Sequence, residues 1–176
     1  TPTRSADGRP RVNTEVMYDN MMNKFRYGNV NKPGIYLDEN TLRMCRTHRM
    51  MFSELAEALY EEGKHDKAIE VLDYAEEMLP GYNVSYDYTS ASMAALYYTL
   101  GEMEKGNAIM DQVATNAVEY MEWGTTLEPA SRKAAQSTLG HYSAVLGFVL
   151  NNLQRFEQKE LFNKYFELYN QYASVR

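Results

Sequence analysis

Three histidines, one cysteine and three evenly spaced arginines are the side chains that could do chemistry in this chain of 176 residues. His48, His65 and His141 stand far apart, and none lies near cysteine or carboxylate at metal-ligand spacing. Cys45 is alone, which excludes an internal disulfide and a multi-thiolate metal site. Within a helical pattern it reads as a small buried apolar residue. No nucleophile elbow or phosphate-cradling glycine loop occurs. Glu54, Glu57, Glu61 and Glu62 form a solvated helix face rather than an acid–base pair. No catalytic, cofactor-binding or metal-binding residue is expected, and no cofactor. Arg43, Arg46 and Arg49 recur at every third position, with Lys32 nearby. Such a stripe could receive a phosphate or an acidic partner, or pair with the local acids Asp19, Asp38 and Glu39.

Composition narrows the partners. A net charge of −6 argues against nucleic acid, because neutralising phosphates requires a basic surface. The apolar run "AVLGFVL", Ala144 to Leu150, is far shorter than the roughly 20 residues of a membrane span. No direct membrane insertion is therefore expected. No signal-peptide pattern precedes the first helix. Residues 1–12, "TPTRSADGRPRV", are polar and basic and read as a linker or a disordered segment cut from something longer.

The elements that would position these residues are all helical. "NTEVMYDNMMNKF" gives a helix over Asn13 to Phe25, capped by Asn13 or Thr14. Gly28, Pro33 and Gly34 then make a turn-rich segment up to position 37. Asp38 caps a long helix to about Glu62, and a second helix follows from about Asp66 to Leu79, stopped by Pro80 and Gly81. Further helices are expected at about Tyr88–Leu100, Met103–Trp123, Pro129–Asn152 and Phe156–Ala173. No segment shows sustained period-two alternation, so the expected class is all-α, built from tandem antiparallel helix pairs over 38–176 behind an N-terminal extension over 13–37.

Small residues sit where those pairs must touch. Phe52, Leu55 and Leu59 share a face with Ala56, opposite Ala68, Leu72 and Ala75, and large-against-small packing lets axes approach to about 8–10 Å. Gly63 marks the turn. Met93, Ala94, Tyr97, Gly101, Gly106 and Met110 repeat this order, the turn glycine recurring 38 residues on. Leu146, Gly147 and Leu150 begin a third copy whose turn, "NNLQR", carries no glycine, with Phe156 starting its second helix.

This order resembles the tetratricopeptide repeat. The first copy matches at Phe52, Leu55, Ala56, Leu59, Gly63, Ala68, Leu72, Ala75 and Pro80. The second lacks the final proline and has Val113 where a small residue is usual; the third stands too far along for a regular array. The resemblance implies a solenoid of about three irregular repeats that binds protein or peptide without catalysis. A second resemblance begins at Arg26, Gly28, Asn29, Asn31, Tyr36, Asp38, Glu39, Arg43 and Arg46. It is to the soluble C-terminal segment of a bacterial family of multi-spanning membrane proteins whose membrane half is glycosyltransferase-like. That likeness implies a soluble domain of a membrane-anchored parent on the periplasmic side, the cytoplasmic side remaining open, with the parent's membrane half among its partners.

First helices of tandem pairs line a concave face. Their outward register gives Ser53, Glu57 and Tyr60 from the first pair, Tyr88, Ala95 and Tyr98 from the second, and His141, Phe148, Asn151 and Asn152 from the third. Small residues flanked by aromatics and amides suit an extended peptide or a helix. Tyrosine faces could equally stack on sugar rings, with Tyr82, Tyr86, Tyr88 and Tyr98 as the surfaces, which would make a carbohydrate- or acceptor-recognition domain. A C-terminal helix or a neighbouring copy filling the groove is the third alternative. Fifteen tyrosines exceed what a core needs, since each buried hydroxyl requires a partner. The densest cluster is "YNVSYDY", from Tyr82 to Tyr88, in an expanded loop.

Overall fold

A computed structural model describes residues 12–172. Among them every regular element is helical. The linker expected over 1–12 lies outside the described residues except for Val12, as does Ala173. The chain divides into two compact units, Thr1–Ser85 and Tyr86–Arg176. The boundary falls inside the span expected to be one repeat domain.

In the first unit, Asn13 caps α1, Thr14–Tyr18, by accepting from the Val16 amide. The expected single helix widens at once into a π-helical turn, Asp19–Lys24, which leaves Met21 fully buried. Asp38 caps α2, Glu39–Glu61, by accepting from the Thr41 amide at 2.8 Å. α3 spans His65–Met78. Phe52, Leu55, Ala56 and Leu59 of α2 are buried together with Ala68, Leu72 and Ala75 of α3, as the large–small pattern requires, and Val71 joins them.

The N-terminal segment belongs to this hairpin. The Thr14 hydroxyl donates to Glu62 at 2.9 Å, and Tyr18 donates to Glu70 at 2.7 Å. Tyr27 packs among His48, Phe52 and Tyr74, with ring centroids 5.6 to 6.0 Å away, and its hydroxyl donates to the Met21 carbonyl. The turn-rich stretch is held from the far end of the hairpin. Tyr82 donates to the Asn31 carbonyl at 2.6 Å, and the Asn83 amide donates to the carbonyls of Val30 and Lys32.

In the second unit, Asp87 opens α4, Tyr88–Thr99, through a reciprocal capping box with Ser90. α5 spans Met103–Thr126. Gly106 lies so close to the buried Tyr98 ring that a methyl there would overlap it. The expected helix from Pro129 is two: α6, Pro129–Ala134, and α7, Gln136–Arg155. Arg132 of α6 donates to the carbonyls of Gly124, Thr125 and Leu127, which holds α6 against the end of α5 while α7 turns back along it. α8 spans Lys159–Tyr172, so Phe156 ends α7 rather than starting the next helix.

One turn closes all three hairpins. Lys64 donates to the Leu59 carbonyl and Gly63 to that of Tyr60; Glu102 and Gly101 repeat this to Tyr97 and Tyr98; Gln158 and Glu157 repeat it to Leu153 and Gln154. These paired bonds are the Schellman arrangement, which needs a left-handed residue at its centre. Gly63 has φ 75°, Gly101 88° and Glu157 58°. The third hairpin thus places a glutamate where the first two place glycine, because the bond pattern fixes the conformation whichever residue is there. A left-handed non-glycine residue costs about 1–2 kcal/mol. Glu157→Gly should therefore raise unfolding stability by about 0.5–1 kcal/mol after glycine's extra chain entropy is subtracted, read as a higher urea midpoint at unchanged slope.

Candidate functional site

Of the residues expected on the first-helix face, those of the second and third pairs lie in the second unit. The capping box fixes the first turn of α4, and there Tyr88 is 47% exposed. Its ring meets that of Phe148, from the middle of α7, at a centroid distance of 4.6 Å and an interplanar angle of 49°. Ala95 lies two turns beyond Tyr88 and is half-buried; Ala144 and Asn151 flank Phe148 by helical register and are exposed. His141 is exposed, and its ring sits edge-on to Tyr142 at 5.3 Å. The result is an aromatic pair bordered by small side chains, an amide and an imidazole.

Two expected members of this face point inward instead. Tyr98 is 2% exposed; its hydroxyl donates to Asn107, whose amide donates to Gln158. Burial pushes the Tyr98 phenol well above its ordinary value, so it is a neutral structural donor. Asn152 is buried and its amide donates to the Phe148 carbonyl at 2.9 Å, bracing the helix beneath the aromatic pair. In the first unit, Glu57 is exposed, Ser53 is half-buried, and Tyr60 stacks on His65 at 5.0 Å.

The arginine stripe divides in the same way. Arg43 is exposed, and Arg46 pairs with Glu39 at 3.5 Å. Arg49 has no exposed surface. Its guanidinium donates to the carbonyls of Leu79 and Val84 at 2.7 Å and of Ser85 at 3.2 Å. It is a clasp on the end of α3, not an anion receptor, because both its terminal nitrogens donate to backbone carbonyls and the side chain is buried. Arg46 and Arg49 draw the Cys45 thiol down, but burial outweighs them and raises it, so the thiol stays protonated.

Among the described residues, no group of three or more His, Cys, Asp and Glu is placed to hold a metal ion. No described helix is long and apolar enough to cross a membrane. Each unit carries a surface cleft among the described residues. One, of about 430 Å³ in the first unit, has Met22, Ile69 and Tyr74 beneath Asp66, Glu70, Asp73 and Glu77. The other, of about 300 Å³ in the second unit, runs along α7 past Gly140, Ala144 and Gly147 to Tyr169 of α8.

An exposed aromatic patch escaped the reading by repeats. Tyr120 of α5 and Tyr142 of α7 stack in parallel at 3.8 Å, and Trp123 stands edge-on to Tyr120; Tyr120 and Trp123 are 43% and 45% exposed. The i, i+3 spacing of Tyr120 and Trp123 and the chain's single tryptophan were its only signals. No family model matches the chain, and neither the curated proteins nor the solved structures include a match to it.

Arg49→Met keeps the volume of the arginine stem but orphans buried carbonyls, so it should cost about 3–5 kcal/mol in denaturant unfolding. At Asp111, partial burial raises the carboxyl, but hydrogen bonds from Lys164 at 2.7 Å and Tyr165 at 2.6 Å outweigh it and hold it below the ordinary 3.8. A depressed carboxyl stabilises the fold above its unfolded value and loses that contribution as pH falls through the folded one. Asp111→Asn should thus cost under about 1 kcal/mol at neutral pH, the pair being half-exposed, and its thermal midpoint should converge on wild type below pH 3.8.

Proposed function

We propose that this chain is a non-enzymatic, tetratricopeptide-like module that binds a protein or peptide through the first-helix face of its hairpins. The Tyr88–Phe148 pair carries the reading: two aromatic rings held together across α4 and α7, one of them 47% exposed. Aromatic side chains at the mouth of a face otherwise lined by small residues are the composition of an anchor pocket. The shared turn of the three hairpins and the buried small residues Ala56, Ala68, Ala75 and Ala94 support a repeat scaffold.

The likeness at Arg26 to Arg46 adds a setting: the soluble C-terminal part of a larger membrane protein, with that protein's membrane half as one partner, on the periplasmic side. A second reading, recognition of a carbohydrate acceptor, is favoured by Trp123 and the stacked Tyr120–Tyr142 pair rather than by the buried Tyr98.

Selection of binders from a random peptide library, followed by titration, tests the first reading. Tyr88→Ala with Phe148→Ala should weaken selected peptides at least about tenfold while helical circular dichroism is retained. Peptides bound equally well by the folded double variant would refute binding at this face. Oligosaccharides that shift the Trp123 indole resonance would favour the acceptor reading instead.

A further inference from the structure

Several rings of this chain are covered by one of its own cations: Lys67 over Tyr18, Lys105 over Tyr97, Arg155 over Phe156 and Lys164 over Tyr165, each 4.6 to 5.6 Å from the centroid. Among the described residues no lysine or arginine covers Trp123 or Tyr120 in that way. These two rings are 45% and 43% exposed, with centroids 6.4 Å apart and planes at 85°, so two π faces meet as a corner. Tyr142 stacks on Tyr120 and fixes its ring. Aromatic faces are electron-rich, and tryptophan is the strongest acceptor of a cation among them.

Charge beside the rings points to the same occupant. Glu119 and Glu122 share this side of α5 by helical register, Glu119 one turn before Trp123, and both are exposed. Neither carboxylate has an ion-pair or hydrogen-bond partner among the described residues. A carboxylate only accepts hydrogen bonds, so what it lacks is a donor. The cations of α6 do not supply one: Arg132 donates to carbonyls at the end of α5, and Lys133 pairs with neither glutamate. Beyond Met103 at its start, the exposed large apolar side chains of α5 are these two rings, which leaves no aliphatic surface for an apolar anchor.

We infer that this corner receives a lysine or arginine side chain from a basic peptide segment of a partner protein, the cation over the rings and its N–H groups donating to Glu119 and Glu122. The chain's net charge of −6 draws such a segment in. The inference rests on the peptide-binding reading for the class of ligand, but it assigns a surface other than the Tyr88–Phe148 face and sets a cation where a sugar would stack.

Trp123 is the chain's single tryptophan, so its fluorescence reports on this corner alone. A synthetic peptide of alternating lysine and glycine, titrated into the full chain at low salt, should change the emission saturably, and its glutamine–glycine counterpart should not. Glu119→Gln with Glu122→Gln, and separately Tyr120→Leu, should each weaken the lysine peptide at least about fivefold with unchanged circular dichroism. Tyr88→Ala with Phe148→Ala should leave this response intact, so failure of the first-helix face and failure of the corner are read separately. No response to the lysine peptide, or an equal response to the glutamine peptide, would overturn the inference. So would a lysine response indifferent to both the carboxylate pair and Tyr120. Tetramethylammonium bound as tightly as the lysine peptide would overturn the peptide as the source of the cation, and oligosaccharides acting where the lysine peptide does not would overturn the cation itself.

Discussion

A left-handed residue between two helices is the constraint on which the rest of this structure depends. Without it the carbonyls of Leu59, Tyr97 and Leu153 would lose the amides of Lys64, Glu102 and Gln158, and the chain could not return within three residues. So tight a return forces α3, α5 and α8 to run back along the helices before them, so that their apolar stripes face each other. Packing then follows from residue size. Ala56 is fully buried in the first core, and Gly106 receives the Tyr98 ring directly.

Helix ends make a second, equally general demand. Carbonyls at or just beyond the ends of α3 and α5 receive an arginine in each unit. Arg49 reaches Leu79, Val84 and Ser85; Arg132 reaches Gly124, Thr125 and Leu127. Arginine suits this task because its planar fork presents several donors at once and stays charged at any working pH. Arg49 does so with no contact to water, which makes it a structural charge of the first unit. Arg132 does so nearer the surface.

What was legible in the sequence was whatever local chemistry writes at fixed spacing. Asn13 and Asp38 announced their caps, Gly63 and Gly101 their turns, and the large–small order of the first copy placed most of its core. The third turn was placed too early, at "NNLQR", which lies inside α7, because Glu157 carries no turn signal; only the bond pattern around it imposes the left-handed conformation. Arg49 read as part of a basic stripe because spacing cannot tell a solvent-facing guanidinium from one turned onto carbonyls 30 and more residues away. Register likewise put Tyr98 and Asn152 on the binding face, where Asn107 and the Phe148 carbonyl hold them inward. Tyr88 and Phe148, expected from different hairpins, lie in ring contact. Tyr36 is 90% exposed, and Tyr82 and Asn83 are what hold the turn-rich segment at Val30 and Asn31.

Hairpins closed by a common turn are the premise from which the peptide face is built. Amide hydrogen exchange followed by nuclear magnetic resonance addresses that premise at three atoms, the backbone N–H groups of Lys64, Glu102 and Gln158. Slow exchange at all three, within about tenfold of the mid-helix amides beside them, is what the closing bonds require. Exchange at the rate of an unstructured loop, at Gln158 above all, would mean that the third hairpin is not closed as described.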